Sequence, residues 1–471
     1  MKVTEATVGL ITVGCKLNQY ETEGIAERLE EIGLSVVPFS SRADVYVVNT
    51  CTVTARSDYK SRQMIRRAAR KNPDALVIAT GCYAEREPAS LTAMPEVDLV
   101  VGNTSKPRLP ELVMKRLAGR PWSDPEDVRA DAARDSRNDS TVPERRNGKT
   151  LPERRSEGVG RDHGFSFFDI TGFRGYTRAF VKIQDGCDRR CAYCAVPDAR
   201  GPARSRPFEE VMKQAAVLGS RGYREIVLTG VHIGAYSDDQ ARGLADLVEA
   251  LIELDSVDRV RLGSVEPTEL TPGLAEAIVR SPKVCNHLHV PLESGSDAVL
   301  ARMRRGYTRE QYREAITRVT ERDPLCGLGT DVMVGFPGET EEDFADTVSL
   351  IESLPFTYLH VFSFSPRRGT VAAGLGGQVP AEEARMRSGL LIDLGKRRSL
   401  EFRRGLVGET LEVLIEDRPG RAEDRVSGLA SNYVRVETEG DSSLGNRLAR
   451  IRIRGADSSS TWGSIEPGGL R

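Results

Sequence analysis

Hydrophobic and polar positions follow a repeating order along the first hundred residues, in which a short apolar run precedes a longer amphipathic stretch. The apolar runs are TVGLITVG, DVYVVNT and LVIATG, and helical patterns follow the first two. Short β-branched runs separated by helical patterns predict parallel strands joined by crossover helices. The sequence therefore predicts an N-terminal α/β domain with a parallel sheet over residues 1–110.

The same order returns after residue 178. Six apolar runs, AFVKIQ, EIVLTG, RVRLGS, HLHVPL, LGTDVMVGF and LHVFSFS, alternate with helical stretches. Six β/α units predict a partial (β/α)6 barrel of the TIM type over residues 171–400, with functional groups at the carboxyl ends of its strands. Shorter alternating strands then predict a small antiparallel β-barrel over residues 401–456. Residues 457–471 are predicted to be a disordered tail.

Residues 111–170 have a different composition from the segments on either side. They mix charges with proline, glycine, serine and asparagine and contain few large apolar residues, so they cannot bury enough surface to offset the entropy of ordering. They are predicted to form a flexible linker. The net charge of −2 gives no overall basic excess that would indicate nucleic acid. No signal segment and no run of about 18 apolar residues is present, which favours a cytoplasmic protein without a membrane span.

Three of the eight cysteines lie in one loop that directly follows the first predicted barrel strand. Cys187, Cys191 and Cys194 have the spacing C-x3-C-x2-C. Zinc usually takes a fourth protein ligand, and none follows nearby. Three thiolates with an open fourth position favour a [4Fe-4S] cluster whose remaining iron binds a small molecule. A three-cysteine zinc site and three unrelated buried thiols are the alternatives.

A second set of cysteines is spread over the N-terminal domain. Cys15, Cys51 and Cys82 each directly follow a predicted parallel strand. Because ligands bind outside the carboxyl ends of such strands, we expect the three thiols on one rim of the sheet. This placement predicts a second cluster. The alternative is that each thiol is a small buried hydrophobe.

Four further residues with metal-binding side chains lie in or beside barrel strands. Cys285 and Cys326 are predicted to be core thiols. His287 and His289 lie two apart in one strand and share a face. Hydrogen-bonded barrel histidines are favoured over a metal pair.

The cysteine loop, with Tyr193 before its third cysteine, is similar to the signature of the radical S-adenosylmethionine (SAM) superfamily. Nearly the whole chain resembles the methylthiotransferase family of those enzymes, in which a TRAM-type RNA-binding barrel is C-terminal. PLESGSD, GFPGETEEDF and FSFSPRRGT resemble family segments. GCKLNQYETE and LTGVHIGAY resemble the branch that modifies N6-threonylcarbamoyladenosine next to the tRNA anticodon. The branches for isopentenyladenosine and for a ribosomal-protein aspartate differ after the first glycine-cysteine pair.

The resemblance implies two [4Fe-4S] clusters, held by the two cysteine sets, and SAM as both radical source and methyl donor. It also implies tRNA as substrate, an electron donor such as flavodoxin or ferredoxin, and a sulfur source. The alternatives are the same chemistry on isopentenyladenosine or on a ribosomal-protein aspartate, and a non-enzymatic RNA-binding metalloprotein. One departure is Glu293, where family members commonly have glutamine.

Polar side chains and glycines at strand ends can hold the ribose or amino group of a cofactor, although turns use the same residue types. The predicted cofactor-binding residues are Tyr193, Thr229, Gly230, Glu293, Ser294, Asp331 and Gly335. Basic and aromatic side chains near the C-terminal barrel suit phosphate contact and base stacking, although an ordinary surface also carries them. The predicted RNA-binding residues are Arg403, Arg404, Arg435 and Tyr433, the last expected to be exposed. No catalytic residue is predicted beyond the cluster ligands.

Overall fold

The computed structural model describes residues 6–118, 145–146, 149–150, 155–157, 167–419 and 424–471. The chain divides into two compact units. The first comprises Met1–Ile170 with Ala195–Pro202, and the second comprises Thr171–Cys194 with Ala203–Arg471. Among the described residues, no helix is long and apolar enough to cross a membrane.

The first unit contains a six-stranded sheet in the order β2-β1-β3-β4-β5-β8, and every neighbouring pair is parallel. Its strands are β1 (Thr7–Thr12), β2 (Ser35–Pro38), β3 (Val45–Thr50), β4 (Leu76–Gly81), β5 (Leu99–Val101) and β8 (Arg155–Glu157). A short antiparallel pair consists of β6 (Arg145–Arg146) and β7 (Lys149–Thr150). The helices are α1 (Lys16–Glu31), α2 (Ala55–Lys71), α3 (Cys82–Arg86), α4 (Pro88–Thr92), α5 (Leu109–Leu117) and α6 (Val196–Arg200).

Every residue of β3 and β4 is buried, as expected for central strands of a parallel sheet covered on both faces. The predicted parallel α/β domain is confirmed. Most of the predicted linker lies outside the described residues. Within it, α5 continues to Leu117 and β8 pairs with β5, so these two segments are regular elements and not linker.

The second unit begins with six parallel strands that follow one another in chain order. They are β9 (Ala179–Lys182), β12 (Glu225–Thr229), β13 (Arg259–Leu262), β14 (His287–His289), β15 (Gly327–Val334) and β16 (Tyr358–Ser363). Bridges from Val260 to Val284 and from Ser264 to His289 connect the first three strands to the last three. The surrounding helices are α7 (Phe208–Ser220), α8 (Leu244–Ile252), α9 (Pro272–Arg280), α10 (Asp297–Met303), α11 (Arg309–Thr320) and α12 (Glu341–Ser353). The predicted partial barrel is confirmed.

A long helix, α13 (Ala381–Gly405), leads into a closed five-stranded barrel in the order β17-β18-β19-β21-β20. Its strands are β17 (Thr410–Pro419), β18 (Arg425–Ala430), β19 (Arg435–Glu439), β20 (Leu448–Ala456) and β21 (Thr461–Leu470). All pairs are antiparallel except β19 with β21. The predicted small barrel is confirmed.

The prediction of a disordered tail after residue 456 is wrong, because β21 pairs with β20 and closes the barrel. Glycine in this strand permits a close approach to the neighbouring strand. A side chain at Gly463 would place its Cβ 2.3 Å from the carbonyl oxygen of Arg452. Ile465 packs against the barrel core.

A buried ionic network joins the central barrel to the C-terminal barrel within the second unit. The Glu225 carboxylate lies 2.7 Å from the guanidinium groups of both Arg259 and Arg261. Arg259 also donates to the carbonyl oxygens of Glu412 and Leu429, and Arg261 donates to those of Ala430 and Ser431. The network positions the C-terminal barrel against β12 and β13. A short antiparallel pair, β10 (Gln184–Asp185) with β11 (Arg204–Ser205), lies beside the cysteine loop.

Candidate functional site

The cysteine loop begins where β9 ends, and its start is fixed by one buried amide. Gln184 donates to the carbonyl oxygens of Asp185 and Gly186, at 2.9 and 2.7 Å. The same side chain accepts from the backbone N–H groups of Val231 and His232, which follow β12. The loop is therefore held at the carboxyl ends of two neighbouring barrel strands, as the motif predicted.

Charged side chains surround the three half-buried thiols of the loop. Arg305 donates to Cys191 Sγ at 3.3 Å and to both oxygens of Glu266, at 2.8 and 2.6 Å. Burial raises the pKa of Cys191, and the nearby Arg305 opposes that rise. His232 lies 3.7 Å from Cys187 Sγ and 2.5 Å from Glu269. Cations beside the sulfur atoms favour thiolates, which are the form that binds iron.

Two of the predicted cofactor-binding residues meet beside this loop. Tyr193 lies close enough to the Glu293 carboxylate for that charge to add to the rise that burial causes in the pKa of Tyr193. Burial raises the pKa of Glu293 to about 7, against the lowering effect of Arg305. Glu293 has a φ of 63°, in the left-handed region that few residues other than glycine adopt. Such strained backbone is often found at ligand sites.

The other predicted cofactor-binding residues are placed differently. Thr229 ends β12 and Gly230 follows it, and a Cβ at Gly230 would lie 2.8 Å from the Gln184 carbonyl oxygen. Ser294 is buried and bonded to Thr347, while the Gly335 N–H donates to Glu339. Asp331 lies with His289 and His360, where two imidazoles face one carboxylate. Cofactor contact by these five residues remains a prediction.

The second cysteine set lies on one rim of the sheet in the first unit. Cys15 is the N-cap of α1 after β1, Cys51 follows β3, and Cys82 begins α3 after β4. Burial raises the pKa of Cys51 to about 11, and the Cys82 and Cys15 thiolates add to that rise. The three thiols therefore lie within electrostatic reach of one another. This is the arrangement that the strand positions predicted.

Close backbone contacts hold together the loops that carry Cys15 and Cys51. Gly14 has a φ of 110°, and a Cβ there would lie 2.7 Å from Cys51 Sγ. Asn18 donates to the carbonyl oxygens of Val13 and Thr50, at 2.8 and 3.0 Å. The loops after β1 and β3 are therefore tied to each other through α1.

A buried cation lies directly on the third thiol of this set. Arg200 of α6 is 3% exposed and donates through Nε to Cys82 Sγ at 3.1 Å. Its other nitrogens donate to Glu21 and Asn18, each at 2.9 Å, and Lys106 also pairs with Glu21. Burial raises the pKa of Cys82, and the charges of Arg200 and Lys106 oppose that rise. Burying a guanidinium is costly unless polar or charged groups pair with it. The contact with Arg200 therefore indicates that Cys82 is not simply a small buried hydrophobe.

The spacing of the thiols fits iron–sulfur clusters better than single ions. A tetrahedral zinc ion has sulfur ligands about 2.3 Å from the metal, so those sulfurs crowd together. Across the described residues, the single set of three or more ligand atoms within 4.8 Å of one another is His289, Asp331 and His360, and it contains no cysteine. Thiolates that bind separate irons of a cluster stand farther apart. Both cysteine sets therefore fit [4Fe-4S] clusters.

The predicted RNA-binding residues differ in accessibility. Arg404 and Arg435 are exposed, whereas Arg403 donates to the carbonyl oxygen of Ser460 within the chain. The expectation that Tyr433 is exposed is wrong. Its ring stacks on His287 at a centroid distance of 4.3 Å, and Arg261 lies 5.3 Å from it. The sequence could not reveal this, because the partners belong to barrel strands about 150 residues earlier.

Sequence reasoning missed the charged groups that contact the cysteines. Arg305, which contacts Cys191, and Arg200, which contacts Cys82, are each more than 100 residues along the chain from the thiol. Charged residues are usually exposed, so composition alone did not single them out. The expectation of hydrogen-bonded barrel histidines is confirmed: His287 bonds Tyr358 and His289 bonds Ser264, both at 2.8 Å.

Two family models match the chain. The model described as the radical SAM superfamily matches residues 181–351, which include the cysteine loop and most of the barrel. The model described as uncharacterized protein family UPF0004 matches residues 7–102, which include the second cysteine set.

Several characterised proteins are similar over almost the full chain. Threonylcarbamoyladenosine tRNA methylthiotransferase MtaB of Bacillus subtilis is 38% identical over 454 residues, which cover 95% of this chain and 94% of that protein. The enzyme of the same name from Aquifex aeolicus is 36% identical, and the match covers 95% of this chain and 100% of that protein. The tRNA-2-methylthio-N(6)-dimethylallyladenosine synthase of Methylobacillus flagellatus is 32% identical, and the match covers 96% of this chain and 98% of that protein.

Among solved structures, the radical SAM methyltransferase TsrM from Kitasatospora setae has a similar fold. The TM-score is 0.55 at 18% identity, and the match covers 78% of this chain and 74% of that one. At this identity the likeness concerns the fold alone.

Proposed function

We propose that this chain, which belongs to the radical SAM tRNA methylthiotransferase family, adds a methylthio group to C2 of N6-threonylcarbamoyladenosine next to the tRNA anticodon. The observation that carries the proposal is the second cysteine set. One cluster loop suffices for radical SAM chemistry, but Cys15, Cys51 and Cys82 on a separate rim provide a place for a sulfur-carrying cluster. The similar threonylcarbamoyladenosine enzymes support this branch of the family.

The residues around the loop have the roles that such a reaction needs. Cys187, Cys191 and Cys194 would hold the cluster that binds SAM, and Arg305 opposes the rise that burial causes in the pKa of Cys191. When bound, these cofactors supply the radical chemistry, sulfur and methyl group that an unactivated C–H bond at C2 requires. The protein holds its ligand side chains in place and surrounds them with fixed charges.

The C-terminal barrel offers a surface suited to tRNA. Arg450, Arg452 and Arg454 alternate with buried residues along β20, so all three lie on its exposed face. Arginines in a row can contact successive phosphates. We infer that this face, with Arg404 and Arg435, contacts the tRNA backbone.

The reaction also needs components that this chain does not itself provide. We infer a one-electron donor such as flavodoxin or ferredoxin to reduce the clusters, and an external sulfur source to renew the sulfur. Because tRNA is the substrate, we place the reaction in the cytoplasm.

The test is mass spectrometry of tRNA nucleosides from cells that lack this protein. We expect 2-methylthio-N6-threonylcarbamoyladenosine to disappear and its unmethylthiolated precursor to accumulate. If the methylthio derivative of isopentenyladenosine disappears instead, the proposed substrate is wrong.

Cysteine variants then separate the two clusters. We expect Cys191→Ala to abolish SAM cleavage, and Cys51→Ala to retain SAM cleavage while losing methylthio transfer. Cys285→Ala is the matched control, because Cys285 is a core thiol that is 1% exposed. Equal SAM cleavage by the Cys191 and Cys51 variants would contradict this division of roles.

A further inference from the structure

A polar cluster lies inside the central barrel and is not used by the cysteine loop. His360 on β16 and His289 on β14 both face Asp331 on β15, whose Oδ1 lies 3.1 Å from His360 Nδ1 and 3.4 Å from His289 Nε2. Ser264 bonds the other nitrogen of His289 at 2.8 Å. We call His289, Asp331 and His360 the histidine cluster.

The histidine cluster has one weakly satisfied hydrogen-bonding group. His289 is only 9% exposed, and its buried Nε2 lies 3.4 Å from Asp331 Oδ1 in a geometry too poor for a full hydrogen bond. A buried polar atom without a partner costs free energy, which a bound ligand would recover. The His360 side chain is 55% exposed, so the cluster is open to solvent on the β16 side. The cluster is therefore accessible to solvent and can form further hydrogen bonds.

The histidine cluster is connected to the loop site through adjacent backbone. The N–H of Glu293 donates to the carbonyl oxygen of Asp331 at 2.8 Å, and the Glu293 carboxylate lies within electrostatic reach of Tyr193 of the cysteine loop. The Asp331 carboxylate is also close enough to raise the pKa of Glu293. A ligand at the cysteine loop would therefore have the histidine cluster as a neighbour within the same barrel.

The chemistry of the cluster distinguishes the two nucleosides on which similar enzymes act. The threonylcarbamoyl substituent carries a carboxylate, a urea carbonyl, N–H groups and a hydroxyl, whereas the isopentenyl substituent is a hydrocarbon. Two imidazoles supply hydrogen-bond donors, and Asp331 supplies an acceptor. A hydrocarbon would leave these groups unpaired, and a site built to bond polar groups rejects an analogue that lacks them by as much as about 10⁴-fold.

We propose that His289, Asp331 and His360 bind the threonylcarbamoyl substituent of the target adenosine and so select it over isopentenyladenosine. This inference rests on the proposed function and adds the residues that determine its specificity. It assigns Asp331 to the substrate in place of the cofactor role that the sequence predicted. The imidazoles donate to the carboxylate or carbonyl of the substituent, and Asp331 accepts from its N–H or hydroxyl groups.

The experiment compares wild type with His360→Phe as fully reconstituted, full-length enzymes. The RNA substrates are anticodon stem-loops that carry threonylcarbamoyladenosine or isopentenyladenosine at the same position. We expect the wild type to prefer the first RNA. We expect His360→Phe to raise KM for it by about tenfold or more, since a tenfold change corresponds to one hydrogen bond of about 1.4 kcal/mol. The ratio of kcat/KM between the two RNAs should fall accordingly.

Two further variants separate recognition from folding. His360→Asn retains a donor and should recover part of the preference. His287→Gln is the matched control, because His287 lies in the same strand as His289 but bonds Tyr358 instead of Asp331. SAM cleavage without RNA reports an intact loop site and should be unchanged in the His360 variants.

The outcomes are distinct. If the wild type does not modify the threonylcarbamoyladenosine RNA, the proposed function itself is wrong. If the wild type modifies that RNA but His360→Phe keeps the same preference and KM, the specificity inference is overturned. Iron, zinc and manganese analysis that finds an additional metal in wild type, lost in His360→Phe, would also overturn it in favour of a metal site.

Discussion

Replacing Glu225 with glutamine is expected to loosen the attachment of the C-terminal barrel to the central barrel. Glu225 is fully buried and pairs with Arg259 and Arg261, which are 1% and 0% exposed. Burial alone would raise the pKa of Glu225, but Arg261 and Arg259 outweigh burial and lower it, so the carboxylate is charged in the folded protein. Glutamine keeps the shape but removes the charge and turns an N–H group toward one arginine.

The magnitude follows from the burial of the network. Removing one partner of a buried ion pair costs about 3–5 kcal/mol. Glutamine retains one acceptor oxygen, so we expect a value near the lower limit, about 3 kcal/mol. Because 1.4 kcal/mol is a factor of ten, the open population should rise about 100-fold. The C-terminal barrel has its own apolar core and should remain folded while it detaches.

The reporter of detachment is Cys285, which is buried and lies within electrostatic reach of Arg261 and Glu412. We expect peptide-resolved thiol labelling of Cys285 to be about 100-fold faster in Glu225→Gln than in wild type, in proportion to the open population. Arg178→Gln is the control. Arg178 lies 3.7 Å from Glu225 and is partly exposed, so its loss should cost less than about 1 kcal/mol. Equal labelling of Cys285 in wild type and Glu225→Gln would refute the role of the network.

Three other changes have defined outcomes. Arg200→Met should lower the iron content after reconstitution by destabilising the Cys82 site, with SAM cleavage retained; unchanged iron would contradict this. Glu293→Gln keeps an acceptor for Tyr193 and should leave SAM cleavage within a few-fold of wild type, so a complete loss would show that the carboxylate is required. Gly81→Ala places a Cβ 2.3 Å from the Thr50 carbonyl oxygen at a φ of 99°, and should lower the free energy of unfolding by at least about 2 kcal/mol in chemical denaturation.

The position of the second cysteine set could be predicted because strand order determines it. Parallel strands place their carboxyl ends on one rim, so Cys15, Cys51 and Cys82 had to lie together once β1, β3 and β4 were recognised. Arg200 could not be predicted in the same way. It lies 118 residues from Cys82 along the chain, and no periodicity links the two.

The buried ionic network shows a second limit of sequence patterns. The segment RVRL alternates charged and apolar residues, which usually indicates a strand with one solvent-exposed face. In the structure, Arg259 and Arg261 instead face the carbonyl oxygens of the C-terminal barrel. An alternating pattern specifies that the two faces differ, but not whether solvent or another domain covers the polar one. The sequence also did not predict the final strand, β21. Its glycines permit close pairing with β20, but a disordered segment has the same residue type.

The course of the chain through the two units has a consequence for biosynthesis. The first unit includes Ala195–Pro202, so it lacks its helix α6 until translation has passed residue 202. Until then Glu21 has Lys106 but not Arg200, and the Cys82 thiol lacks the Arg200 guanidinium. The nascent N-terminal unit therefore cannot complete its charge network as soon as its own sheet is synthesised. A polypeptide ended at residue 170 would retain the sheet and all three thiols, yet remain one arginine short of the native site.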